Sequence, residues 1–251
     1  MSKNYDAVRA EIERKFLKNI KGKKPDNLHE SPDNAGAEGD WLTRMMGLNK
    51  NGLNMPDYKG FEMKKCSAKI SFGDWSPSYS LYSIELSRGD FLRIFGSKKN
   101  GRFSWSGSVF PKINLVTRGG QEIKADYDAG IEITYSYSKD KRKNKDKIVP
   151  ERYRVENLIL ATWSKERLNT FISNKYGAHG YFILVKNHNG LYSDIVFGPP
   201  LNYNTFIFNF KKGIIFLDCG MVLGNPRQYM TFRANKDFWF KLATRRKKVI
   251  E

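Results

Sequence analysis

The chain is poor in cysteine, in histidine and in long apolar runs. Its two cysteines, Cys66 and Cys219, lie far apart, which excludes a disulfide framework and suits a reduced, cytoplasmic protein. The histidines are His29, His179 and His188, and no His–Cys spacing forms a zinc motif. No Ser/His/Asp combination has the setting of a hydrolase triad. Nowhere is there a run of about 18 apolar residues, so a spanning helix is excluded. The most apolar stretch, Ile214-Ile215-Phe216-Leu217, has the length of a strand. The opening MSKNYDAVRAEIERKF is a charged helix pattern without the apolar segment of a secretory signal.

Acidic residues are also in deficit. Asp and Glu number 26 against 44 Lys and Arg, a formal charge of +18. A chain this basic repels itself when folded, and an anionic partner offsets that repulsion. Nucleic acid is the first candidate, an anionic membrane surface the second, and charge kept for solubility alone the plain alternative. With 40% hydrophobic residues and 14% aromatics, the 251 residues can bury a sizeable core, and global disorder is excluded.

Periodicity predicts a helix over 3–20, with Val8, Ile12, Phe16 and Leu17 or Ile20 on one face, and another over 39–46 stopped by Gly47. The stretch KGKKPDNLHESPDNAG between them reads as a loop. Strands are expected at 61–64, 69–72, 103–110, 112–117, 130–137, 156–162, 181–185 and 213–219. Ser164 is the expected N-cap of a helix running to about Lys175, with Leu168 and Ile172 facing inward. The charge run SKDKRKNKDK, 138–147, reads as a mobile loop. Strands and helices without regular alternation imply an α/β protein with a mixed sheet flanked by helices.

The segment Met55-Pro56-Asp57-Tyr58-Lys59-Gly60-Phe61-Glu62-Met63-Lys64 carries the chemistry. With period-two geometry, Glu62 and Lys64 share one face of a strand and Phe61 and Met63 the other. With Asp57 on the preceding bend, two carboxylates can converge on one hard divalent cation. Such a pair suits Mg²⁺, which stabilises charge on phosphoryl oxygens and lowers the pKa of a bound water. Lys64 can then position that water or stabilise the developing charge. Taken alone, the spacing also fits an ordinary solvated strand face.

This segment resembles the PD-(D/E)xK motif of nucleases. The wider pattern is similar to the MvaI/BcnI-type restriction endonucleases and their relative, the mismatch-repair nicking enzyme MutH. Gly36 to Leu42 resembles the family's glycine-led helix, and Asp57, Glu62 and Lys64 match its catalytic motif. Ser67 to Pro77 and Phe91 to Lys99 resemble later blocks, and Arg227 to Arg233 its DNA-reading segment. One departure is Thr43, where the family helix often carries a glutamate; Asp74 is a candidate substitute, whereas Glu38 lies on a different helix face.

The resemblance implies a two-lobed, MutH-like clamp on duplex DNA, with a catalytic lobe at 1–120 and a recognition lobe at 121–251. It implies Mg²⁺ held by Asp57, Glu62 and the Met63 backbone carbonyl, and a monomer that cuts the two strands separately. Relatives favour short, CG-rich targets, and a cognate DNA methyltransferase would protect the host. Arg227 and Arg233 are candidates for base or phosphate contact, since arginine's fork matches guanine O6 and N7. Asn225 and Gln228 could add amide contacts. Arg93, Lys98, Lys99 and Arg102 suit the phosphate backbone, as do the lysines of 139–147. The cluster Arg245-Arg246-Lys247-Lys248 fits either a backbone contact or a solvated helix end.

The expectation is therefore a Mg²⁺-dependent type II restriction endonuclease leaving 5′-phosphate ends. The alternatives are a methyl-directed nickase, a DNA-binding protein with weakened catalysis, and, remotely, a membrane-surface binder.

Overall fold

The structure, a computed structural model, describes residues 3–26, 36–48, 54–99, 101–225 and 228–250. Helices α1 (Lys3–Asn19) and α2 (Ala37–Met45) precede strands β1 (Phe61–Lys65), β2 (Lys69–Asp74) and β3 (Tyr79–Ser80). Helices α3 (Leu81–Ile84) and α4 (Arg88–Phe95) lead to β4 (Ser97–Lys99), β5 (Arg102–Ser106), β6 (Gly119–Asp126) and β7 (Gly130–Asp140). After α5 (Lys145–Ile148) come β8 (Leu158–Ser164), α6 (Lys165–Tyr176), β9 (Gly180–Lys186) and β10 (Tyr192–Gly198). The chain continues through α7 (Tyr203–Lys211), β11 (Ile215–Val222), β12 (Met230–Asn235) and α8 (Lys236–Ile250). Among the described residues no helix is long and apolar enough to cross a membrane.

The chain forms two compact units, each assembled from separated segments: 1–70, 172–202 and 236–251 in the first, 71–171 and 203–235 in the second. The division thus differs from a single cut at residue 120. A linear cut fails because the partner strand of β1 is β9, which arrives only after most of the second unit has been laid down.

In the first unit, β1 runs parallel to β9 in the register Phe61↔Gly180 to Lys65↔Leu184, and β10 pairs antiparallel on the other side of β9. A parallel pair needs a long crossover, and here the excursion through the second unit supplies it. The stripe Val8, Ile12, Phe16 and Ile20 recurs every fourth residue of α1 and its C-terminal turn, as read from the sequence. With Tyr5 it packs on Trp41, Leu42, Phe61, Phe182, Leu184 and Tyr192. The core face of β1 is therefore built by α1, α2 and β9.

The second unit contains the sheets β2-β12-β11-β5-β4 and β3-β8-β7-β6. Its core is aromatic: Phe232 meets Trp75, Trp163, Phe206 and Phe210 at centroid distances of 5.5, 5.7, 5.3 and 5.8 Å. Buried indole N–H groups need acceptors. Trp163 Nε1 donates to the Trp75 carbonyl at 2.7 Å, and Trp105 Nε1 to Gln121 Oε1 at 2.6 Å. The Ser164 hydroxyl accepts from the Arg167 amide at 3.2 Å, the N-cap that the sequence predicts, and Leu168 and Ile172 are buried.

Three local expectations need correction. The 103–110 strand stops at Ser106, because Gly107 takes φ +61° and opens a single 3₁₀ turn. At 112–117 only isolated bridges form, Lys112↔Leu115 and Ile113↔Ile123. The run 138–147 is a built corner, not a free loop. Strand β7 carries on to Asp140, which is buried and held by the Arg142 guanidinium at 2.6 Å; Arg142 also donates to the Ile94 carbonyl at 2.8 Å. The helix α5 then closes the corner.

Candidate active site

A tight hairpin assembles the site. Tyr58 and Phe61 exchange both backbone hydrogen bonds, at 2.9 and 2.8 Å, and the two residues between them, Lys59 and Gly60, sit at φ 42° and 93°. Positive φ at both central positions is what a two-residue hairpin turn matched to strand twist requires. Glycine is also demanded sterically at position 60, where a Cβ would lie 2.7 Å from the His179 ring. The turn folds Asp57 back beside β1, and Asp57 Oδ2 accepts the Met63 amide at 2.9 Å. From α1, Glu11 accepts hydrogen bonds from the Tyr58 hydroxyl and from Lys59, the latter at 2.7 Å.

Glu62 and Lys64 share a face of β1, as alternation predicts, and both are buried, 3% and 8% exposed. Lys64 Nζ donates to Glu62 Oε1 at 2.8 Å and lies 5.5 Å from the centre of the Tyr176 ring. A second ammonium, Lys175 Nζ at the end of α6, reaches the same Oε1 at 3.0 Å. The other oxygen, Glu62 Oε2, is buried and without a hydrogen-bond partner. Sequence reasoning missed Lys175, reading it only as the last residue of a helix. Nothing local singles it out, because the parallel register of β1 and β9 brings it to the motif.

Two acids and two cations thus meet in one buried place. Burial, and then the negative charge of Glu62, push the Asp57 carboxyl up to about 6. Lys64 is lowered, chiefly by burial and further by Lys175, with Glu62 and Asp57 opposing. Tyr176 is driven well above the usual phenol range by burial and by the same carboxylates.

These residues fit a hard divalent cation. Glu62 Oε2 is an unsatisfied buried acceptor, and such atoms are rare without a role. In an extended strand the N–H and C=O of one residue point to the same side. Because the Met63 amide turns to Asp57, its carbonyl also faces away from β9 on that side. Among the described residues no group of three or more His, Cys, Asp or Glu converges. The donor set is then two carboxylates and backbone oxygen, which suits a cation that keeps several waters rather than a soft one.

The acids weighed against Thr43 are engaged elsewhere. Thr43 Oγ1 donates to the Gly39 carbonyl of its own helix at 2.9 Å. Asp74 lies in the second unit, where it accepts the Met230 amide at 2.8 Å. Glu38 reaches β1 after all, at Lys65 rather than at Glu62 or Lys64. It pairs with Lys65 at 3.0 Å, accepts from Tyr192 Oη at 2.6 Å, and also pairs with Lys186, tying α2 to all three strands. Together these donors outweigh its burial and hold its carboxyl at about 2.

The described DNA-reading candidates fall in the second unit. Arg227 lies outside the described residues, as do the side chains of Lys99 and of 245–248. Arg93 pairs with Asp90 at 2.9 Å, Lys98 stands 5.9 Å from the Phe103 ring centre, and Arg233 is in ion-pair contact with Asp218 at 2.8 Å. Three others brace one turn. Arg102 donates to the Leu223 carbonyl at 3.0 Å and to Asn225 Oδ1 at 2.5 Å. Gln228 accepts the Val222 amide at 2.8 Å and donates to the Val222 carbonyl at 3.0 Å. The arginine fork uses several donors here, and lysine cannot reproduce them. Arg102→Ala is expected to speed amide exchange at the hydrogen-bonded Leu223 and Asn225 amides, with global stability changed by less than about 1 kcal/mol. Unchanged exchange would show that the turn stands without it.

Residues 20–246 match the family model described as LlaMI restriction endonuclease. The type II restriction enzyme ScrFI of Lactococcus lactis subsp. cremoris is 33% identical over 256 aligned positions, covering 91% of this chain and 94% of that enzyme. The structure of restriction endonuclease MvaI with its cognate DNA substrate superposes with a TM-score of 0.61. It covers 96% of this chain and 97% of that one at 13% identity, a likeness of fold. Both the α/β architecture with mixed strand pairing and the restriction endonuclease resemblance read from the sequence are borne out. This chain belongs to the LlaMI restriction endonuclease family and is a type II site-specific deoxyribonuclease.

Proposed function

We propose that the enzyme cleaves double-stranded DNA at a short target with Mg²⁺ held by Asp57, Glu62 and the Met63 carbonyl. The observation that carries this reading is Glu62 Oε2, buried and unpartnered in the same site as Asp57. Bound there, the cation would supply Lewis-acid stabilisation of the phosphoryl oxygens and a more acidic water. Asp57 and Glu62 fix its position through a hairpin and a strand, both rigid elements. Lys64, one residue beyond the proposed carbonyl ligand, orients the attacking water and stabilises charge on the scissile phosphate. Expulsion of the 3′ oxygen then leaves a 5′-phosphate end.

The +18 charge supports binding to the duplex backbone, and Arg93, Lys98, Lys99, Arg102, Asn225, Arg227, Gln228 and Arg233 form the pool from which the recognition contacts are drawn. On this reading the protein acts as a monomer in the cytoplasm and cuts the strands one after the other. A cognate methyltransferase protects host DNA.

Purified protein incubated with unmethylated phage DNA, with Mg²⁺ or with EDTA, tests this. Discrete fragments only with Mg²⁺, sharing one terminal sequence with 5′-phosphates, are expected. Cutting in EDTA would overturn the metal assignment, a smear the site specificity, and nicking confined to hemimethylated duplex would establish the methyl-directed alternative.

A further inference from the structure

We propose that Lys175 is a positioning residue that holds the Glu62 carboxylate until a divalent cation and a DNA phosphate take its place, making cation binding depend on DNA. The proposal rests on the assignment of Asp57 and Glu62 as the metal site.

Lys175 lies outside the catalytic motif, yet its side chain is only 15% exposed and it touches the motif's central acid at 3.0 Å. It sits in the last turn of α6, where the helix dipole favours a cation. The form of the contact argues against a purely structural salt bridge. A buried ion pair repays its desolvation only when the remaining lone pairs are also satisfied. Here both ammoniums crowd onto Oε1 while Oε2 has none, so the carboxylate is neutralised but left half open.

Charge counting gives the consequence. With all four groups ionised, Asp57 and Glu62 balance Lys64 and Lys175, so the cation-free site is neutral. A divalent cation leaves a surplus of two positive charges in a buried place, where like charges repel strongly. A DNA phosphate brings negative charge that absorbs part of this surplus and offers Lys175 a new partner. Lys175 therefore weakens cation binding in the free enzyme and relaxes that penalty once the backbone is engaged.

Calorimetric titration of Mg²⁺ into the DNA-free enzyme tests this, with single-turnover cleavage measured alongside. Lys175→Met should bind Mg²⁺ about tenfold or more tightly than the wild type, since a like charge beside the cation is gone. Lys175→Gln, which keeps a donor for Glu62 without the charge, should tighten as well and serves if the methionine variant does not fold. Lys175→Arg should bind as the wild type does. Both neutral variants should cleave more slowly despite binding the cation better, an opposition that a lost structural contact would not produce. Unchanged or weaker Mg²⁺ binding in the folded neutral variants would overturn the proposal. Asp57→Asn separates the two readings. If the wild type binds Mg²⁺ and Asp57→Asn does not, a failure at Lys175 concerns Lys175 alone. If neither the wild type nor the neutral Lys175 variants bind Mg²⁺, or if Asp57→Asn binds it equally, the metal site itself is wrongly assigned and this proposal falls with it.

Discussion

Lys64→Ala is expected to slow single-turnover cleavage by about a thousandfold or more while leaving affinity for target DNA within a few fold. Lys64 is buried on the same face as Glu62 and bound to its Oε1 at 2.8 Å, so its ammonium is held in place before substrate arrives. A charge fixed in a dry site acts on the transition state without reorganisation, and its removal appears mainly in the chemical step. The alanine variant should fold. Glu62 keeps Lys175 as a partner at 3.0 Å, so no buried carboxylate is stranded without a cation. Binding should survive because the described DNA-reading candidates lie in the second unit. Rapid-quench cleavage paired with gel-shift titration separates the effects. Cleavage within tenfold of the wild type would remove Lys64 from the proposed chemistry, and a parallel loss of binding would make it a substrate-holding residue.

The convergence of Asp57, Glu62 and Lys64 was legible because its geometry is local. Alternation along Phe61-Glu62-Met63-Lys64 sets the shared face; the sequence places Asp57 on a preceding bend, and the structure shows that bend to be the Lys59-Gly60 hairpin turn. Lys175 was not legible, because its place depends on a parallel pairing across the long first segment of the second unit, 71–171. The same limit explains the domain boundary: a cut in the sequence cannot express two units built from interleaved segments. Charged residues were misjudged where composition stood in for position. In 138–147 the sequence shows a polar run, but Asp140 falls on an inward position at the end of β7 and brings Arg142 with it. Arg102, Asn225 and Gln228, read from the sequence as candidate DNA contacts, also hold the turn after β11, a role the sequence does not show. Whether a polar side chain is available is a tertiary property, fixed by which backbone groups the fold leaves in need of a partner.

Asp57→Asn is expected to stabilise the metal-free enzyme while abolishing cleavage. Burial and Glu62 raise the Asp57 carboxyl from 3.8 to about 6 in the folded chain. A raised folded value means that the native state binds the proton more tightly than the unfolded chain does. This favours the native state at acid pH, and the advantage is lost as pH rises from about 4 to about 6. Above that window the native state carries an ionised carboxylate that it would rather hold neutral. The penalty is about 2 kcal/mol once partial access to water is allowed for. Asparagine is close in shape and can still accept the Met63 amide, but it cannot ionise, so it should recover this energy. Urea unfolding in EDTA should therefore show the variant more stable at pH 8 by about that amount, with the difference vanishing near pH 4. Adding Mg²⁺ should narrow the difference, because only the wild type gains binding energy from the cation. A variant less stable than the wild type at pH 8 in EDTA would mean that the pairing of Asp57 with Lys64 and Lys175 outweighs its burial, and that the site is built for stability rather than held open for a metal.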